Sequence, residues 1–303
     1  RVLSQHMKNG NEIKLSSNYI QCVTSDKNGV IYCGYDGQGF DVLDPFIKKF
    51  VTITKEDPND LKNLRYVRKI LEDDQNNLLI GTSGSGLVKY NRTTQACTFY
   101  NATNILKNSD NFIIDMIRLG NELWIGFNGG GIDILDIHSF RHLGSISPDE
   151  SANGLTSGFI WSFLADQEGN VWVGTRENGM NKIHIATRKV TKYDKIKFPQ
   201  FHTGIRCLAK LSTGNIIIGT ENGLFEWNTN TEKIQKVFPF KKGEDGFNSF
   251  KSIYIDNKQR LWLTMDGSGI VVLSKEYTWL RNFNTQNALN NDVVYGLLPE
   301  NDS

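Results

Sequence analysis

Apolar residues along this chain follow a two-residue beat that is broken at regular intervals by glycine. In "NELWIGFNGGGIDILD", residues 121–136, a Trp sits between aliphatics, a Gly follows at once, and after a polar glycine loop the alternation resumes. Period-2 runs bounded by Gly and Asn predict two antiparallel strands around a loop. The same shape recurs in "GVIYCGYDGQGFDVLD" (29–44), "NLLIGTSGSGLVKYN" (77–91), "NVWVGTRENGMNKIH" (170–184), "NIIIGTENGLFEWN" (215–228) and "RLWLTMDGSGIVVLS" (260–274). The first glycine falls at Gly34, Gly81, Gly126, Gly174 and Gly219, with Thr264 in its place in the last copy, so the steps are 47, 45, 48, 45 and 45 residues.

Each copy follows a short apolar run ending in a turn, such as "IQCVTSDKNG" or "FIWSFLADQEGN". Asp three residues before Gly or Asn suits such a turn, because Asp bonds nearby backbone and Gly or Asn accepts positive φ. A third alternating run follows the second glycine, and a fourth follows that, as in "RKVTKYD" and "TWLRNF". Four strands in about 46 residues predict blades of an all-β propeller. The aromatic or aliphatic position (Tyr32, Leu79, Trp124, Trp172, Ile217, Trp262) is then expected to fill the wedge between blades. Both glycines are expected to be structural. One period covers nearly all 303 residues, which reads as one domain over 1–303. The ends read as halves of a seventh blade: "RVLSQHM" resembles a fourth strand and "NNDVVYGLLPENDS" a first one. The expectation is a seven-bladed propeller with six complete blades here, excerpted from a longer protein.

The repeats resemble a known family. "LSSNYIQCVTSDKNG" with "YCGYDGQGFDVLD", and "LTSGFIWSFLADQEGNVWVGTRENGMNKIH", are similar to the regulator-propeller repeat of hybrid two-component sensors from Bacteroides-like bacteria. That resemblance implies the periplasmic ectodomain of an inner-membrane protein, with a second propeller and other domains, a histidine kinase among them, elsewhere in the same protein. It implies perception of a glycan-derived ligand and control of carbohydrate-utilisation genes. Thr264 in place of Gly, and Tyr35, Phe127 and Met265 where other blades carry Thr, depart from a uniform repeat.

Charge and candidate chemistry narrow the picture. A formal net charge of +1 gives no field for nucleic acid, and no stretch approaches the roughly 18 apolar residues of a membrane helix. The first residues lack the apolar core of a signal peptide, so a targeting segment is expected to lie outside the chain. Cys22, Cys33, Cys97 and Cys207 form no disulfide framework, although a turn centred on Lys27 and Asn28 would set Cys22 opposite Cys33. No nucleophile elbow, metalloprotease helix, phosphate loop or Cys-x-x-Cys pair is present, and the five histidines are scattered. The reading is a non-enzymatic chain without cofactor or metal. Alternatives are a docking scaffold that binds no small ligand and, less favoured, a propeller polysaccharide lyase or glycosidase. A homodimer is a further expectation.

In a propeller the loop entering the first strand shares a face with the loop between the second and third. That face gathers Tyr35, Asp36, Arg65, Tyr66, Phe127, Asn128, Trp161, Arg176, Glu177, Glu221, Met265 and Asp266, together with Tyr19 and Phe247. Aromatic rings among amides and charges suit an oligosaccharide, whose faces are apolar and whose rims carry hydroxyls. The competing explanation is that these residues cap blade ends or pack on a neighbouring domain.

Overall fold

A computed structural model describes residues 15–44, 49–53, 64, 66–107, 111–151, 153–238, 249–289 and 291–299. These form six antiparallel four-stranded sheets, each with its strands in sequence order. The chain divides into two compact units, Arg1–Ser145 and Ile146–Ser303, and each unit holds three sheets. The first unit contains β1–β4, β5–β8 and β9–β12, opening with Ile20–Ser25, Val67–Glu72 and Ile113–Leu119. The second contains β13–β16, β17–β20 and β21–β24, opening with Ile160–Ala165, Ile205–Lys210 and Phe250–Ile255. Inside each unit the first strands of successive sheets adjoin, as in propeller blades. The expected seventh blade does not form among the described residues: 291–299 make no strand, and 1–7 lie outside them.

The expected wedge position is buried in five blades (Tyr32, Leu79, Trp124, Trp172, Ile217), while Trp262 is half-buried. In three blades it is tied to the turn that precedes it. Asp166 ends the first strand of the fourth blade, and its carboxylate accepts from the backbone N–H of Glu168 at 2.9 Å and Asn170 at 2.8 Å, and from the Trp172 indole at 3.0 Å. Asp256 does the same for Trp262, and Asp26 takes the Tyr32 hydroxyl at 3.1 Å. Where the aromatic is absent the bond is made otherwise: Asp73 takes the Asn77 side-chain amide at 2.7 Å. The third turn residue after these Asp adopts positive φ, at Gly29, Asn76, Gly169 and, with neither Gly nor Asn, Gln259.

The first glycine of four repeats, Gly34, Gly81, Gly174 and Gly219, marks close approach between blades. A Cβ on Gly81 would lie 2.7 Å from Ile113 of the next blade; on Gly219 it would meet Cys207 at 2.5 Å and the Phe250 Cβ at 2.9 Å. At these four positions the second strand can therefore sit against the first strand of the following sheet, where a Cβ would collide.

Each first strand carries one extra residue. Ile20 pairs with Tyr35 and Cys22 with Gly34, leaving Gln21 bulged; the same slip isolates Arg68, Ile114, Trp161, Arg206 and Lys251. The expected cysteine pair does not form, because the first hairpin is centred on Asn28, with Ser25 opposite Ile31, so Cys33 stands opposite Val23 and Cys22 opposite Gly34. Cys22 and Cys33 form no disulfide, and burial pushes their thiols up to about 12.

Candidate functional site

Within each blade the loop entering the first strand meets the residue that follows the second, and one repeated hydrogen bond joins them. The residue after each second strand donates its backbone N–H to the carbonyl of the residue before the bulged strand. The six bonds are Asp36 to Tyr19 (3.1 Å), Ser83 to Tyr66 (2.9 Å), Asn128 to Phe112 (2.9 Å), Arg176 to Phe159 (3.0 Å), Glu221 to Gly204 (3.2 Å) and Asp266 to Ser249 (3.0 Å). Every blade thus sets its bulged residue beside the residue that follows strand two. A bulge re-aims a side chain out of the strict in–out alternation, which frees that residue from packing duty.

Three expected ligand contacts are corrected. Tyr35, Phe127 and Met265 are buried, as are Thr82, Thr175 and Thr220 at the same place in the other blades. The position faces the interior throughout. Where it is Thr, the hydroxyl closes the loop by donating to the carbonyl of the second glycine, as from Thr82 to Gly86 at 2.8 Å and Thr220 to Gly223 at 2.9 Å. Where it is large, it fills core: Tyr35 donates its hydroxyl to Asp41 at 2.6 Å, and Phe127 and Met265 join apolar clusters. Arg65 and Phe247 lie outside the described residues.

In the first unit the face carries a row of aromatics at equivalent positions, Tyr19 (71% exposed), Tyr66 (44%) and Phe112 (42%). Asp36 bridges to Tyr66 and Ser83 to Phe112, so the row steps from blade to blade along backbone contacts. Beside it, Arg68 donates to Gln21 at 2.8 Å and to Ser83 at 2.7 Å. Asp36 is exposed and Asn128 half-buried on this face.

In the second unit the face is concave. Trp161, Arg176, Glu177 and Glu221, expected from the sequence, line one open depression of about 470 Å³. Lys195, His202, Thr203, Gly204 and Arg206 complete its lining. The Arg206 guanidinium lies 3.8 Å above the centre of the Trp161 ring, and Arg176 sits 5.9 Å from that ring and 5.7 Å from Phe159. Arg206 also pairs with Glu221. Gly204 makes the arrangement possible: a Cβ there would overlap the Trp161 indole and come within 2.8 Å of the Arg176 carbonyl oxygen. In the sixth blade Lys251 pairs with Asp266 at 2.9 Å and lies 5.1 Å from the Tyr295 ring.

Sequence reading missed the bulged cations Arg68, Arg206 and Lys251. The signal was available as the second residue of each first strand, but strict alternation assigns that residue no special direction. Lys195 and His202 come from the segment before the fifth blade, which folds into a 3₁₀ turn at Pro199–His202.

Residues 154–177 match the family described as two component regulator propeller. No curated protein matches the chain. Among solved structures it is similar to the extracellular domain of BT3049, assigned to a hybrid two component system of B. thetaiotaomicron, with TM-score 0.76 and 23% identity over 94% of this chain and 38% of that one. The extracellular domain of BT4673 from the same organism aligns at TM-score 0.72 and 24% identity, over 90% and 38%. PorZ, a surface component of the type-IX secretion system of Porphyromonas gingivalis, aligns at 0.68 and 14%, over 93% and 44%. The chain spans less than half the length of each. The regulator-propeller repeat is present, the fold is the all-β propeller of these extracellular domains, and among the described residues no helix is long and apolar enough to cross a membrane.

Proposed function

We propose that this chain is an extracytoplasmic sensor domain of a hybrid two-component system, periplasmic and non-enzymatic, that perceives a glycan-derived ligand and thereby regulates carbohydrate-utilisation genes. The depression around Trp161 carries this reading. It joins an indole, guanidinium groups, carboxylates and a backbone kept close by Gly204, the mixture of apolar surface and fixed polar groups that orients a saccharide. The fold shared with two-component extracellular domains supports the placement, with kinase and further domains elsewhere in the protein. In this proposal residues 1–303 act as one propeller domain.

The test is a thermal-shift screen of the protein against plant and host oligosaccharides, since a ligand that binds only the folded state raises the melting temperature with concentration. We expect a shift that Trp161→Ala removes while the unliganded melting temperature moves little. A panel with no shift would refute the reading.

The exposed row Tyr19, Tyr66 and Phe112 favours a second reading, a docking face for another domain, the second propeller, or a second copy of the chain. Alanine at Tyr19 and Tyr66 would then impair signalling in the whole protein and leave saccharide binding intact. A lyase or glycosidase has less support, because Glu221 in the depression is committed to Arg206.

A further inference from the structure

Resting on that sensor reading, the pocket of the second unit also reports the chemical class of its ligand. Its two guanidinium groups lie against aromatic rings. Arg206 stacks on Trp161 at 3.8 Å and uses Nη2 on Glu221; its Nε is buried with no hydrogen-bond partner among the described residues, so stacking and one ion pair hold the group. Arg176 is exposed, and the contacts seen for its guanidinium are with the rings of Phe159 and Trp161. A ring contact uses none of a guanidinium's in-plane N–H donors, and that fork matches two oxygens of one anionic group.

Charge points the same way. The lining holds Arg176, Lys195 and Arg206 against Glu177 and Glu221, and Glu221 is already neutralised by Arg206. A neutral sugar would leave that excess uncompensated, whereas a carboxylate or sulfate removes it. The Thr203 hydroxyl, buried at the pocket wall, has no partner among the described residues either. Two of these cations, Arg176 and Arg206, occupy the repeated face-building positions after strand two and at the bulge, so blade architecture delivers them here.

We propose that the depression between the fourth and fifth blades receives the carboxylate or sulfate of an acidic saccharide, with Arg176 and Lys195 as its anion contacts and Trp161–Arg206 as the floor that positions them. The experiment is isothermal titration of the whole 303-residue chain with four probes: short oligogalacturonates, the same chains fully methyl-esterified, sulfated chondroitin disaccharides, and neutral cello-oligosaccharides. The expected result is binding of a carboxylate or sulfate probe. The ester should bind at least about tenfold more weakly, and affinity should fall as salt is raised, as an ion-pair contact requires. Arg176→Gln with Lys195→Gln should weaken the acidic probe by about tenfold or more at unchanged melting temperature, since both side chains are exposed. Neutral or esterified chains binding as well as the acid would overturn the acidic class and leave the glycan reading standing. Silence from all four probes would overturn both. Acid binding indifferent to the double variant would place the anion elsewhere, and inorganic sulfate competing as strongly as the saccharide would reduce the pocket to an anion site.

Discussion

At the scale of single residues, the most consequential group is the aspartate that ends a first strand. Asp166 is half-buried, and burial pushes its carboxyl upward, but bonds from Asn170, Trp172 and Glu168 outweigh that and hold it below the usual carboxylate range. Asp26 and Asp256 are held down in the same way against burial, by their own turn and aromatic donors. A carboxyl whose folded pKa lies below its unfolded value of about 3.9 stabilises the fold above that value, and the contribution is lost as pH falls through the folded pKa. The melting temperature should therefore be flat near neutrality and drop below about pH 4, and Asp166→Asn should blunt that acid limb. Asp166→Ala should cost about 1–3 kcal/mol in chemical denaturation by stranding turn and indole donors. Trp172→Phe loses the indole bond and the pyrrole ring but keeps a six-membered ring in the wedge, whereas Trp172→Ala should cost roughly 3–5 kcal/mol for the emptied wedge. Equal losses for Phe and Ala would assign the stabilisation to the hydrogen bond instead of the ring.

At the scale of elements, the second strand of each blade is the most buried and the first strand the most divided in purpose. Gly219→Ala would push a Cβ into Cys207 and Phe250, so about 1–3 kcal/mol of destabilisation is expected from overpacking. Gly144, on an outer strand, has nothing within 4 Å of its added Cβ, and Gly144→Ala should be neutral or slightly stabilising in the same urea titration. Blades are also clasped by side chains reaching across. Arg92 of the second blade grips Asp26, Tyr32 and Glu72 together, and Tyr193 of the fourth reaches Glu232 of the fifth at 3.0 Å. The Arg92 clasp sits at the turns that join the strands, at Asp26 after β1 and at Arg92 after β7.

At the scale of the whole molecule, the repeat separates stability from recognition. The bulged residues Gln21, Arg68, Ile114, Trp161, Arg206 and Lys251 differ in nearly every blade while the strands around them keep one pattern. All are half-buried, so alanine at Gln21 or Ile114 should change unfolding free energy by only about 0.5 kcal/mol, against several for the wedge residues. A denaturation series across the six positions checks this; a uniform loss comparable to that of Trp172→Ala would mean that the bulges are packing sites.

The division between what the sequence carried and what folding decided follows from range. Strand count and blade period depend on neighbours within one repeat, and spacing alone exposes them, whereas what the first glycine meets, as Gly81 meets Ile113, belongs to the next blade. Trp161, Arg176, Glu177 and Glu221 were legible because topology places their loops on a common face. The direction of Tyr35, Phe127 and Met265 was not, because the pairing of each bulged strand with its neighbour, and not their size, turns that position inward. Nor was the role of Arg206: its guanidinium lies over an indole 45 residues earlier, and only the packing of one blade on the next brings that cation and that ring to 3.8 Å.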